Sequence, residues 1–155
     1  MHHTLHIIHV GKHSGEWYSL GNEYIKRMSR SWHIQISTIK DASSSLSIEE
    51  RKKRETQKIL PLLTEHSLLI ELHPEGTTYS SLQFAQKMSI WCENRAKIPT
   101  FLLAGTFGFA REQLPPNRTI LSLSPMTFTH EMTYALLLEQ IYRSYTLLTN
   151  IPYHY

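Results

Sequence analysis

Apolar positions along this chain recur at two different spacings, and the alternation predicts strands interleaved with helices. Leu5 to Val10 is a short, β-branched run ended by Gly11. From Glu16 to Arg30, Trp17, Leu20, Tyr24 and Met28 recur as a helical stripe. Trp32, Ile34 and Ile36 then alternate with polar residues, the pattern of a strand exposed on one face. Asp41 to Ser45 is a polar loop and the segment best suited to mobility. Ser47-Ile-Glu-Glu50 has the form of a capping box, in which hydroxyl and carboxylate satisfy reciprocal amides. The helix it opens carries Arg51-Lys-Lys-Arg54, and Pro61 kinks or ends it.

Beyond residue 65 the strands lose their alternation. Leu68 to Leu72 is continuously apolar apart from Glu71, and His73-Pro-Glu-Gly76 reads as a turn. Ser81 is placed to cap a helix with Leu82, Ala85, Met88 and Trp91 inward. Thr100 to Leu103 is a second apolar strand, followed by Ala104-Gly-Thr-Phe-Gly108. Pro115-Pro116 separates a short helix from a last strand, Thr119 to Leu123, and a final helix runs from Glu131 to about Leu148. Strands apolar on both faces with helices between them predict an α/β fold: a mostly parallel sheet flanked by helices, with right-handed crossovers. No repeat or linker divides the chain, so one domain over 1–155 is expected.

Composition narrows this only slightly. The net charge of +3 is too small for electrostatics alone to hold a nucleic acid tightly, yet it is compatible with an RNA partner given a local patch. The single cysteine, Cys92, excludes a disulfide framework and a thiolate metal cluster. No apolar run approaches the ~20 residues of a membrane span, and the start lacks an apolar signal segment, so a cytoplasmic protein without membrane contact is expected. Of the ten histidines, His9 and His13 are four apart, but Gly11 lies between them at a strand end, so no metal site is expected. For Glu71 and Glu75, one solvated carboxylate and one at a turn is the simpler expectation than a catalytic pair. Arg51 to Arg54 reads as a solvated helix face.

Ligands of open parallel sheets sit beyond the carboxyl ends of the strands. Three loops fall there, after Leu72, Leu103 and Leu123. The first has Pro-Gly chemistry. The second has Gly105 and Gly108, which permit positive φ and close backbone approach. The third, Ser124-Pro-Met-Thr-Phe-Thr129, is rich in hydroxyls beside apolar side chains. Together they suit an adenine held by backbone groups over an apolar floor, although ordinary strand-to-helix turns fit the same residues. Gly105-x-x-Gly108 matches neither the dinucleotide nor the P-loop fingerprint.

Ser122-Leu-Ser-Pro-Met-Thr-Phe-Thr-His130, Leu138-Glu-Gln-Ile-Tyr-Arg143 and Pro152-Tyr-His154 resemble the C-terminal signature of the RlmH family. Those are SPOUT-class methyltransferases that act on N3 of a pseudouridine in 23S ribosomal RNA. Val10-Gly-Lys12, Glu23-Tyr24 to Arg27, Leu72 to Gly76 with Ser81 and Phe84-Ala85, and Gly105-x-x-Gly108 extend the resemblance over nearly the whole chain. It implies a SPOUT-type fold with a C-terminal trefoil knot and a homodimer through the knot region. A dimer would account for the apolar last helix, and so would a buried helix in a monomer. The implied cofactor is S-adenosylmethionine, with Leu72, Ala104, Gly105, Ser124, Pro125, Met126, Thr127, Phe128 and Thr129 as its contacts. The implied partner is 23S rRNA in the assembled ribosome, since no RNA-binding domain is appended.

Within that resemblance His154 is the candidate for taking the N3 proton or positioning the base, with a phosphate contact or helix cap as the alternative. Tyr153 is suited to stacking on a splayed base. Arg143 is suited to pairing with phosphate or, more simply, with Glu139 one turn earlier. Four positions depart from the family. Ala104 stands where the first of two glycines is usual, Thr129 where proline is common, Tyr134 in place of an arginine, and Tyr155 in place of a basic residue. The last two are expected to remove two positive charges from the RNA face. A SPOUT enzyme for another RNA such as tRNA, a non-catalytic ribosome-binding relative, and a flavodoxin-like nucleotide-binding module are the competing expectations.

Overall fold

The computed structural model describes residues 2–153, so His154 and Tyr155 lie outside the described residues. Five strands form one sheet: β1 (His3–Val10), β2 (Trp32–Ile39), β3 (Ser67–Thr78), β4 (Ile98–Leu103) and β5 (Thr119–Ser122). Their order is β2-β1-β4-β3-β5 and every pairing is parallel, which is the α/β architecture the apolar strands predict. Four helices cover it: α1 (Glu16–Met28), α2 (Ile48–Ile59), α3 (Ser81–Glu93) and α4 (His130–Leu148). None is long and apolar enough to cross a membrane.

Strand pleating divides the core. Leu5, Ile7, Phe101 and Leu103 face α1, α3 and α4, where they meet Met28, Met88, Trp91, Leu137 and Ile141. Ile8, Val10 and Leu102 face the other way and pack with Ile59 of α2, Phe109 and Leu114. Burial on both faces is why these strands carry so few polar residues.

Local signals hold in part. The Ser47–Glu50 capping box forms, with the Ser47 hydroxyl accepting the Glu50 amide. Pro61 falls in a 3₁₀ turn, Leu60–Leu62, which ends α2. The cap of α3 is Ser80 rather than Ser81, because the Ser80 hydroxyl accepts the Gln83 amide and Gln83 reaches back. Leu82 is therefore exposed, and Phe84 points inward instead. Residues 73–76 are not a turn. They bulge within β3, so that Leu72 and Thr77 both pair with Leu121. Gly76 makes this possible: a Cβ there would lie 2.7 Å from the Leu121 carbonyl carbon.

The buried face of α1 is also displaced from its apolar stripe. Trp17 and Leu20 are exposed, while Tyr18, Gly21 and Met28 are buried. Gly21 is the crossing point with α4. A Cβ there would approach Tyr134 Cε1 to 2.6 Å and Leu138 Cδ1 to 2.9 Å. Tyr134 cannot easily yield, because it is fully buried and its hydroxyl donates to Asn22 Oδ1 at 2.8 Å. In an exposed helix, Gly→Ala gains about 1 kcal/mol. Here Gly21→Ala should instead lower stability, by about 1–3 kcal/mol for overpacking. A urea midpoint at or above that of the parent protein would refute this packing.

Candidate functional site

A cleft of ≈ 780 Å³ opens at the carboxyl edge of β4, β3 and β5. Its walls are the bulge after Leu72, the loop 103–108 and the segment 121–131 that leads into α4. Of the nine residues expected around a cofactor, Leu72, Ala104, Gly105, Ser124, Met126, Thr127, Phe128 and Thr129 line it. Pro125 does not; it is exposed beside the lining. Sequence reasoning missed Phe107, His130 and Glu131, which also line it. Phe107 was legible as an aromatic between two glycines, and His130 and Glu131 as the first turn of the helix after the loop.

Each wall is held by identifiable contacts. Glu71, next to Leu72, is only 1% exposed and takes Arg111 Nε at 2.7 Å and Arg118 Nε at 2.6 Å. It is thus neither a solvated carboxylate nor one of a catalytic pair; two guanidiniums from the segment before β5 neutralise it in the core. In the second loop Gly108 takes φ 81°, a conformation that favours glycine. Gly105 lies so close to what backs it that a Cβ would come within 3.1 Å of Val10 and 3.3 Å of Glu55.

The hydroxyls of the third wall mostly serve the chain itself. Ser122 Oγ donates to the Ser124 carbonyl at 2.8 Å, and Ser124 Oγ accepts the Met126 amide at 3.0 Å. Thr129 Oγ1 caps α4 by accepting the Met132 amide. With the hydroxyls so engaged, a ligand would meet mainly main chain and apolar side chains. A cleft of this size, with Leu72, Leu103, Leu121 and Phe128 beside hydroxyls and two ionisable residues of the first turn of α4, suits one nucleotide-sized molecule.

The two described residues expected at RNA lie together elsewhere. Arg143 bonds Glu139 one turn earlier, and its Cζ stands 4.9 Å from the Tyr153 ring centroid. Tyr153 donates to Glu139 at 3.2 Å and sits edge-on to Tyr142 at 4.8 Å. Arg27 Cζ lies 5.5 Å from the Tyr24 ring and 5.9 Å from that of Tyr142. Burial, followed by a hydrogen bond with Tyr24, raises the Tyr153 phenol above its ordinary range, so it stays protonated at neutral pH.

Tyr134 is not on that surface. It is fully buried between α4 and α1, so its replacement of an arginine leaves the count of exposed charges on α4 independent of it. It also belongs to a hydrogen-bonded chain. Tyr134 donates to Asn22 Oδ1, and Asn22 Nδ2 donates to His13 Nε2 at 3.3 Å. His13 Nδ1 lies 3.0 Å from His9 Nε2, which Thr38 Oγ1 also meets at 3.0 Å, and His9 Nδ1 is buried with no partner. His9 and His13 therefore do meet, by stacking and hydrogen bonding. Among the described residues no group of three or more His, Cys, Asp or Glu is placed to hold a metal.

These contacts belong to a recognisable class. A parallel sheet with a loop-built cleft at its carboxyl edge, followed by a long apolar helix, defines an α/β protein with a small-molecule-sized site at the strand ends. The family described as "Predicted SPOUT methyltransferase" matches residues 3–154, and the chain belongs to it. Ribosomal RNA large subunit methyltransferase H of Lawsonia intracellularis is 39% identical over 139 residues, 90% of this chain and 88% of that protein. The proteins of the same name from Acetivibrio thermocellus and Trichlorobacter lovleyi are 37% and 35% identical, covering 96% and 97% of this chain and 97% and 99% of theirs.

Burial, helped by the neighbouring His13 and His130, lowers the His9 pKa to about 4. The native state therefore binds fewer protons than the unfolded chain between pH ~6.5 and ~4. Stability should be full above that window and decline as pH falls through it, by about 1.4 kcal/mol per pH unit from this residue. His6, also lowered by burial, adds a decline of the same sign. Urea titrations at several pH values check this: His9→Gln should flatten the acid limb, and an unchanged slope would assign it to other groups.

Proposed function

We propose that this protein binds S-adenosylmethionine in the cleft and methylates N3 of a pseudouridine in 23S rRNA of the assembled ribosome. The observation that carries this reading is the ≈ 780 Å³ cleft walled by the bulge in β3 and the loops after β4 and β5, in a chain of this family. The residues present fit the cofactor: Leu72, Leu103, Leu121 and Phe128 offer an apolar floor, and Gly105 and Gly108 bring main chain close. When bound, the cofactor supplies a methyl group already activated on its sulfonium. The chain then has to hold that methyl in line with the acceptor nitrogen, and most acceleration comes from orientation. Fixed walls suit that task.

The acceptor N3 carries a proton that must leave. His154 is the proposed acceptor of that proton, or the group that positions the base. Tyr153, with its ring flanked by Arg143 and its hydroxyl held by Glu139, is suited to stacking on a base. Arg143 and Arg27 supply positive charge beside it.

Geometry along α4 supports a homodimer, formed through the C-terminal knot region. His130 lines the cleft, and Arg143 lies thirteen residues further along the same helix, about 20 Å at 1.5 Å per residue. One subunit's cleft and the partner's Arg143–Tyr153 cluster can share a nucleotide; a single chain's own cluster stands too far away.

The decisive assay incubates the protein with ribosomes lacking the modification and labelled cofactor, followed by nucleoside mass spectrometry. Methyl-pseudouridine is expected, and methyl on any other base would overturn the substrate. His154→Ala should reduce transfer; an unchanged rate at saturating substrate rules out a required base. Sedimentation equilibrium should give a two-chain mass, and a monomer that is fully active would end the shared-site arrangement.

A further inference from the structure

The wall formed by the loop after β4 is backed along its length by α2, no residue of which lines the cleft. Glu55 is 3% exposed; its Oε1 accepts the Ala42 amide at 2.9 Å and its Oε2 lies against Gly105. Arg51, one turn earlier on the same face, places its Cζ 4.8 Å from the Phe107 ring centroid. Thr56 closes the far end. It is fully buried in a helix whose neighbouring residues are mostly charged, and a β-branched residue is not favoured there by propensity. Its Oγ1 donates to the Lys52 carbonyl at 2.8 Å and accepts the Ala110 amide at 2.9 Å. Ala110 is where the loop ends and the chain turns towards Arg111 and Glu71.

We infer that Thr56, with Glu55 behind Gly105, is a positioning residue of the cleft: its hydroxyl fixes the conformation of residues 105–110 and thereby the affinity for the cofactor. The inference rests on the reading of the cleft as an S-adenosylmethionine site. Its physical basis is population: when only a fraction of chains hold the loop in its competent form, apparent affinity drops by that fraction. Thr56→Val keeps the volume and removes both hydrogen bonds, leaving the Ala110 amide buried and unpaired. Thr56→Ser keeps the hydroxyl.

Titration calorimetry with S-adenosylmethionine, paired with hydrogen exchange of peptides spanning 104–110 without cofactor, tests this. Thr56→Val should weaken binding about tenfold and speed exchange in that segment, and Thr56→Ser should return both to parental values. A purely structural role would lower the melting temperature while leaving the Kd of the folded protein unchanged. Parental protein that binds while Thr56→Val binds equally well overturns the inference alone; parental protein that does not bind overturns the site reading and the inference together. Should the valine variant not fold, Thr56→Ala admits water to the Ala110 amide. Weaker binding is then expected, and unchanged binding overturns the proposal.

Discussion

One buried carboxylate ties together the segments from which the cleft is built. Glu71 sits in β3, where the neighbouring positions are aliphatic, and at that depth an unpaired charge would cost several kcal/mol. Arg111 and Arg118 come from opposite ends of the segment between the second loop and β5; Arg111 reaches both of its oxygens and Arg118 shares Oε2. Arg118 also donates to the Pro115 carbonyl, which closes that segment on itself. The loop after β4 and the entry to β5 are thereby fastened to β3 just before its bulge. Removing any partner would leave uncompensated charge inside the sheet, so the arrangement is held as a unit.

With the frame fixed in this way, the walls need little from the ligand to become ordered. The third wall is braced by Ser122, Ser124 and Thr129, whose hydroxyls bond its own main chain. The second wall rests on α2. Ala104 and Thr129, expected to depart from the family, fall where main chain forms much of the wall. Thr129 even supplies a cap for α4 that proline, lacking a side-chain acceptor, cannot.

What was legible in the sequence follows from how local each cause is. Doubly apolar strands announce a parallel sheet because burial on both faces leaves no polar position, and Ser47 with Glu50 announces a cap because the partners are three residues apart. The carboxyl-edge loops were legible for the same reason: strand polarity alone places them. The bulge at 73–76 depends on where β5 pairs, the Glu71 triad on residues forty and more positions away, and the face of α1 on Tyr134 of α4. A stripe drawn through Trp17 and Leu20 overlooks Gly21, which has no side chain to count yet makes the closest helix contact. Tyrosine at 134 suggests a charge missing from the surface only while the position is taken as exposed, and it lies inside.

The α4 helix then acts as a rigid spacer. Its first turn lines the cleft and its last turns carry Tyr142 and Arg143, with one face buried against α1 and α3 throughout. The chain Tyr134–Asn22–His13–His9, buried at its two ends, fixes the helix against α1 and β1. An arginine at position 134 would need a buried counter-charge, and α1 offers Asn22 and Gly21 instead. Tyrosine satisfies its one polar atom there and fills the groove above the glycine. The positive charge available to the proposed RNA surface therefore rests on Arg27 and Arg143, both arranged over aromatic rings that hold their guanidinium planes in place.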